Sequence, residues 1–234
     1  MSNNVLRVVS WNIKFGVEID TAIEELRFID EISSPGILLL QEMDEKGTAV
    51  IAEALDAGYV YTTLGPHAQT GREFGNAIVS RWPIGDVAEV LLPHQAWFKG
   101  HPRLVTRATI SADFGPVLAY SVHTEIPILP LRRRRDQFDR IAADINQIGS
   151  DAVVVGGDFN TFTRRGVAAV RSSMGHAGLS HVSAGSGPSL PVWKFKLPAD
   201  HIFASGFRTI RTGVAWSASA SDHKPVWSEI SPVS

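Results

Sequence analysis

A chain of 234 residues that is 44% hydrophobic has enough apolar material for a sizeable core, and a layered sheet protein of this length can form one domain. Lys and Arg number 22 against 24 Asp and Glu, a net charge of −2, so the basic excess of a dedicated nucleic-acid binder is missing, although local basic patches stay open. Cysteine is absent, which excludes disulfides and thiolate metal sites and leaves the compartment undecided.

Met1 to Asn4 lead straight into an apolar, β-branched run, with no basic or hydrophobic leader before it. No stretch is long enough to span a membrane, and the expected location is cytoplasmic. Leu6–Trp11 is the first predicted strand. Asp20 is placed to cap a helix that carries Ile23, Leu26 and Ile29. Ile37–Leu40 is a second apolar strand, followed by a helix from about Gly47 to Asp56 with Val50, Ala54 and Leu55. Phe74–Ser80 and Val117–Val122 read as buried strands, and Leu104–Ile110 between them alternates as a half-exposed one does. The longest helix runs from about Leu131 to Ile148, with Phe138, Ile141, Ile145 and Ile148 at helical spacing. Ala152–Val155 is again a buried strand, Gly185–Pro191 is expected to be a mobile surface loop, and Ile202–Ala204 and Val226–Ile230 close the series. Strands outnumber helices, so two sheets packed face to face with helices outside fit better than a doubly wound parallel sheet. There is no internal repeat and no linker, which gives a single domain over residues 1–234.

Polar residues recur just past the ends of these strands. Asn12 follows VVSW, Glu42 follows ILLLQ, His123 follows VLAYSV, and Asp158 and Asn160 follow VVVGG; Asp200, Asp222 and His223 stand at the starts of later strands. Each has an ordinary reading alone: Asp158 as a turn former or helix cap, His123 as a hydrogen-bonded core histidine, Glu42 as a solvated charge. The set reads differently. Carboxylate and amide oxygens suit a hard cation such as Mg²⁺. Phosphoryl transfer needs a positioned nucleophile and compensation of charge on the non-bridging oxygens, which imidazolium, Arg and amide groups supply.

Trp11–Asn12, Leu40–Glu42, Gly75–Arg81, Ser121–His123, Gly156–Asn160 (GGDFN), Asp200–Phe203 (DHIF) and Ser221–Val226 (SDHKPV) resemble, in order and over essentially the whole chain, the endonuclease/exonuclease/phosphatase superfamily. The resemblance implies an α/β fold, a four-layer α/β/β/α sandwich of two mixed sheets, and Mg²⁺- or Mn²⁺-dependent hydrolysis of phosphate esters. It implies Glu42 as the main metal ligand, with Asn12 beside it and Asp222 near or on the metal. Asp158 is then the residue that orients or deprotonates the attacking water, and Asn160 holds that water and a phosphate oxygen. His223, held by Asp200, is expected at the scissile phosphate, and His123 is the second imidazole; whether Asp158 or His223 is the base stays open. Asn76 and Arg103 are expected at the substrate phosphate, with Asn76 equally readable as a strand-edge amide and Arg107 competing with Arg103. Glu73 is a candidate to orient His123, against an ordinary loop carboxylate.

Other features carry less. Arg132–Arg135 opens a helix and is expected to be mostly solvated, since four adjacent arginines cannot share one face. His67, His94, His101, His176, His181 and His201 lack a compact zinc spacing, and His201 is expected to be structural. Trp97, Phe98 and Lys99 read equally as a substrate-facing rim or a packed loop. There is no Walker-type loop and no Gly-x-Ser-x-Gly elbow. The expected substrate is a phosphodiester, nucleic acid first, with no obligate protein partner. The alternatives are a phospholipase C-like or phosphatase activity on lipid or inositol phosphate headgroups, which a long hydrophobic hairpin would favour, and a catalytically silent binding module, whose mark would be a missing ligand or imidazole.

Overall fold

A computed structural model describes residues 5–67, 70–96 and 102–233. The Trp97–Phe98–Lys99 segment, His101 and Met1 to Asn4 lie outside them. The first sheet is built from β1 (Leu6–Asn12), β2 (Ile37–Met43), β3 (Gly58–Pro66), β4 (Glu73–Ser80), β12 (Phe207–Val214) and β13 (Val226–Pro232), in the order β12-β13-β1-β2-β4-β3. The second holds β5 (Ile84–Leu91), β6 (Leu104–Ala112), β7 (Gly115–His123), β8 (Val153–Asp158) and β11 (Asp200–Ser205), in the order β11-β8-β7-β6-β5. A small hairpin, β9 (Leu190–Val192) and β10 (Phe195–Leu197), stands apart.

Successive strand residues point to opposite faces, and here both faces are covered. Leu6, Val8, Ile37 and Leu39 meet Ala108, Ile110, Ala119, Val154 and Ile202 between the sheets. Val9, Trp11, Leu38 and Leu40 turn the other way, onto α1 (Ile19–Phe28) and α2 (Glu45–Ala54) through Ile23, Leu26 and Ile51. Tyr120, Val122, Val153 and Val155 pack on α3 (Leu131–Ile148) and α4 (Arg164–His176) through Phe138, Ile141, Val170 and Met174. Double coverage is why these strands are continuously apolar rather than alternating. The layers are α/β/β/α, as the resemblance implies.

Details differ from the sequence reading. The N-cap of α1 is Glu18, without a side-chain cap bond, and Asp20 lies inside the first turn, where its charge favours the helix dipole. Helix α2 begins earlier than expected because Asp44 accepts the Gly47 N–H at 2.5 Å, a standard N-cap arrangement. The α4 helix has no counterpart in the sequence reading, and the end of the expected Gly185–Pro191 loop belongs to β9.

β1 and β2 run parallel, as do β7 and β8, while β13 and β11 pair antiparallel with β1 and β8. The ends of β1, β2, β7 and β8 therefore share one rim with the starts of β11 and β13. Gly157 permits the close approach of β8 to β7 there: a Cβ on it would lie 1.9 Å from the Val122 carbonyl oxygen. Gly157→Ala is expected to cost at least about 3 kcal/mol, seen as a Tm about 6–12 °C lower for a chain of this size. A melting curve shifted by under about 2 °C would show that the two strands separate without penalty.

Candidate active site

Asn12 is the last residue of β1. Glu42 reaches the rim by a different device: the pairing of β2 with β4 slips between Gln41 and Met43, and Glu42 sits in that irregularity at φ +56°. Gln41 and Met43 stay buried while the glutamate turns out of alternation. Bulges and left-handed non-glycine residues cost free energy and gather at functional sites. Asn160 shows the same signature, at φ +50°. The SDH segment is fixed from β1, since the Trp11 Nε1–H donates to the His223 carbonyl at 3.0 Å and the Ser221 hydroxyl to the Asn12 carbonyl at 2.7 Å.

These elements converge on Asp158 Oδ2. Asn12 Nδ2 donates to it at 3.2 Å, His123 Nε2 lies at 3.5 Å and His223 Nε2 at 3.8 Å. Asp158 Oδ1 accepts the Asn160 N–H at 2.8 Å, and Asn160 Nδ2 donates to the Thr124 carbonyl at 3.0 Å. Glu42 joins the cluster as the second acceptor of Asn12 Nδ2, at 3.2 Å. His223 Nδ1 and Asp200 Oδ2 are 2.8 Å apart, and the Ser189 hydroxyl donates to the same oxygen at 2.5 Å. A carboxylate can only accept from Nδ1–H, so Nε2 of His223 is the nitrogen that faces the site. His123 is oriented the same way by a different group: Arg103 Nη1 donates to its Nδ1 at 3.4 Å.

Burial sets the charges. Desolvation raises the Glu42 carboxyl above its ordinary range, against the Asn12 hydrogen bond and the positive charges of Arg103 and His223. Desolvation also lifts Asp158, to about 7, with the negative charges of Asp200 and Glu42 adding to it and His223 opposing. Burial alone would lower His223, but the Asp200 and Asp158 charges and the Asp200 hydrogen bond outweigh it and bring it to about 10.

Carboxylates raised in this way mark a site short of positive charge, and its oxygen donors are those a hard divalent cation prefers. The Glu42 carboxylate fits such an ion; Asn12, as placed, turns Nδ2 to Glu42 and Asp158 while its Oδ1 accepts the Lys14 N–H at 3.1 Å, so its oxygen is offered to a cation only with the amide turned over. Asp222 is half-exposed at the mouth, 3.3 Å from Lys14 Nζ, close enough for its charge to raise Glu42. Asp158, Asp200 and His223 also offer ligand atoms within 4.8 Å of one another. In that trio Asp200 Oδ2 is already shared by Ser189 and His223, whereas the buried Asp200 Oδ1 has no hydrogen-bond partner among the described residues.

Arg103, rather than Arg107, belongs to the site. It is buried, donates from Nε to Glu125 at 2.9 Å and covers the Phe74 ring at 4.7 Å, whereas Arg107 pairs with Asp144 at 3.0 Å. Asn76 lines a small cavity with Phe74, Arg103 and His123, but its Nδ2 bonds to the Leu104 carbonyl at 2.8 Å and the Ser121 carbonyl at 3.4 Å, as a strand-edge amide does. Glu73 is exposed, its carboxylate 3.4 Å from the Glu45 N–H, and the group at His123 Nδ1 is Arg103. Among the Arg132–Arg135 run the structure corrects one member: Arg134 is buried and donates to the Leu129 carbonyl at 3.2 Å and the Asn160 carbonyl at 2.8 Å, while its three neighbours are exposed. Its spacing to Phe138 and Ile141 was the signal. His201 is structural as expected, buried with Nε2 2.6 Å from the Thr161 hydroxyl. Glu125, Ser189 and Lys14 had no local signal.

Residues 9–223 match the Endonuclease/Exonuclease/phosphatase family, whereas no curated protein matches the chain. Solved structures agree on the fold. An endonuclease/exonuclease/phosphatase from Bacteroides vulgatus is 15% identical, with a TM-score of 0.79 over 98% of this chain and 100% of its own. One from Beutenbergia cavernae is 19% identical, with 0.77 over 97% and 72%. Truncated TDP2 of Caenorhabditis elegans is 17% identical, with 0.75 over 97% and 98%. With the sandwich, the rim and the ordered motifs all in place, this chain belongs to the endonuclease/exonuclease/phosphatase family.

Proposed function

We propose that this protein is a Mg²⁺- or Mn²⁺-dependent phosphodiesterase that cleaves nucleic acid. The family is one of phosphoester hydrolases that typically use a divalent metal. The observation that carries the reading is the convergence of Asn12, His123 and His223 on Asp158 Oδ2 within 3.2–3.8 Å, with Glu42 alongside. Glu42, Asn12 and Asp222 are the proposed metal holders. When bound, the cation offsets charge on the phosphate oxygens and acidifies the attacking water. Asp158 orients that water and accepts its proton at Oδ2, held in place by the Asn160 N–H. His223 carries positive charge to the non-bridging oxygens through Nε2, fixed by Asp200. His123 presents Nε2 to the same space, backed by Arg103, and Asn76 contributes by joining the strands beneath. All eight residues whose loss would mark a silent module are present: Asn12, Glu42, His123, Asp158, Asn160, Asp200, Asp222 and His223.

A second reading, a phospholipase C-like activity on lipid headgroups, is favoured by the β9–β10 hairpin, where Trp193 is 100% and Phe195 69% exposed. No helix among the described residues is long and apolar enough to cross a membrane. One panel separates the readings: plasmid, abasic duplex, single-stranded DNA, RNA, sphingomyelin, inositol phosphates and bis-p-nitrophenyl phosphate, each with Mg²⁺ or Mn²⁺. Nucleic-acid cleavage that stops in EDTA and returns with either ion is expected, and Glu42→Gln should raise the metal requirement sharply. Full activity in EDTA sinks the metal-dependent reading, and cleavage of sphingomyelin alone selects the second.

A further inference from the structure

Among the described residues two arginines are buried, Arg103 and Arg134, and they are satisfied differently. Arg103 pairs with the Glu125 carboxylate. Arg134 has only neutral partners: its Nε donates to the Leu129 carbonyl at 3.2 Å and its Nη1 to the Asn160 carbonyl at 2.8 Å. Burial pulls its pKa below the ordinary guanidinium range, with no carboxylate acting against it. A guanidinium stays protonated in proteins, so α3 carries a buried cation without a counter-ion. That weakens a fold, and an apolar side chain in its place would avoid the cost.

Both carbonyls belong to segments that leave the rim: Leu129 lies between β7 and α3, and Asn160 between β8 and α4. Asn160 is at φ +50°, a left-handed conformation that a non-glycine residue keeps only when its surroundings hold it. Three contacts do so. Its N–H donates to Asp158 Oδ1 at 2.8 Å, its Nδ2 donates to the Thr124 carbonyl at 3.0 Å, and its own carbonyl accepts from Arg134. The last comes from a charged donor, and such bonds are the stronger kind. We infer that Arg134 is a positioning residue for the hydrolysis: it clamps the loop from Asp158 to Asn160 in the backbone conformation that aims Asp158 Oδ2 at the attacking water. The inference rests on the phosphodiesterase reading and adds to it a residue that touches no substrate. Two hydrogen bonds separate Arg134 from the reacting carboxylate. A return of Asn160 to negative φ swings its N–H off Asp158 Oδ1, and the carboxylate is then free to turn from the point where Asn12, His123 and His223 converge.

The test uses three variants of the full chain. Arg134→Met keeps an unbranched stem and removes the donors, Arg134→Lys keeps the charge with a single donor point, and Arg133→Met takes the same group from the exposed neighbour. Hydrolysis of bis-p-nitrophenyl phosphate with Mn²⁺ gives kcat and KM. Amide-resolved hydrogen exchange in EDTA reads the Asn160 N–H without any need of turnover. Arg134→Met should lower kcat about 10- to 100-fold, the scale of a small misplacement of a reacting group, with KM within about threefold. It should speed exchange at Asn160 by about tenfold or more while Tm and the exchange of α3 and β8 stay near wild type. Arg134→Lys should fall between, and Arg133→Met should match wild type within about twofold. On an Asn160→Ala background, Arg134→Met should lower kcat by less than about twofold more, because both losses pass through one loop. Unchanged exchange at Asn160, a kcat within about twofold of wild type, or a full further loss on Asn160→Ala overturns the assignment. So does a kcat loss matched by a lower Tm and by faster exchange throughout α3, the mark of an ordinary packing residue. If the Met variant does not fold, the same readings on Arg134→Lys decide. No hydrolysis by wild type of any substrate in the panel defeats the phosphodiesterase reading instead, and exchange at Asn160 then decides the clamp by itself.

Discussion

Asp158→Asn should leave a folded, cooperatively melting protein whose turnover is lower by a factor of about 10²–10⁴, the usual contribution of a positioned acid–base group. The substitution keeps the shape of a side chain that is 2% exposed and removes its charge. Two effects on stability oppose each other. The carboxyl is raised to about 7 in the folded chain, above the roughly 3.9 of an unfolded aspartate, so the buried charge weakens the fold progressively as pH rises from about 4 to 7, and the amide removes that penalty. Against this, an amide keeping its oxygen toward Asn12 Nδ2 turns an NH₂ toward the Asn160 N–H now bonded at 2.8 Å, leaving a donor facing a donor at a cost of about 1–3 kcal/mol. A Tm at pH 8 in EDTA close to that of the wild type is expected from the balance. Paired measurement of melting and of kcat decides the role: loss of both together makes Asp158 a structural residue, and an unchanged kcat removes it from the chemistry.

The Asp200–His223 pair carries the other large effect. An imidazolium aimed at oxygens that gain charge in the transition state lowers the barrier more than it tightens substrate binding. His223→Ala should therefore cut kcat by about 10²–10⁴, about 3–5 kcal/mol of barrier, with little change in KM. Asp200→Asn should lose less, because the ring stays, anchored through Trp11 at the His223 carbonyl. The double variant should be little worse than His223→Ala, since Asp200 acts through the ring and such losses do not add. The pH dependence has a definite sign. Asp200 and Asp158 raise His223 to about 10, so Asp200→Asn should bring the alkaline limb of the kcat profile to lower pH. The stability that the charged pair lends is full below the unfolded histidine value of about 6.5 and fades as pH rises through about 10, so Asp200→Asn should lower Tm most below that limit. Additive losses in the double variant would show Asp200 acting independently of the ring.

Much of this was legible in the residues themselves. VVSW, ILLL and VVV read as buried strands because both faces of each sheet are covered, and short apolar runs of that kind suit a strand buried on both sides. The spacing of Phe138, Ile141 and Ile145 gave α3 its inner face, and polar residues at the ends of apolar runs marked the rim. Edge elements were harder: β3, β5 and β12 carry many exposed or half-buried positions, so neither a period of two nor an apolar run announces them.

What the chain determined by itself was therefore the layer architecture and the roster of groups on one rim, since both follow from local periodicity and strand ends. Tertiary structure decided how those groups are aimed. The slip that turns Glu42 to the rim exists only in the pairing of β2 with β4. Arg134 is buried among exposed arginines because only its position on α3 meets the Asn160 carbonyl. Glu125 and Ser189, ordinary loop residues in sequence, orient Arg103 and Asp200. The reason is common to all of them: a hydrogen bond or ion pair between distant segments is specified by register and packing distance, which no local pattern encodes.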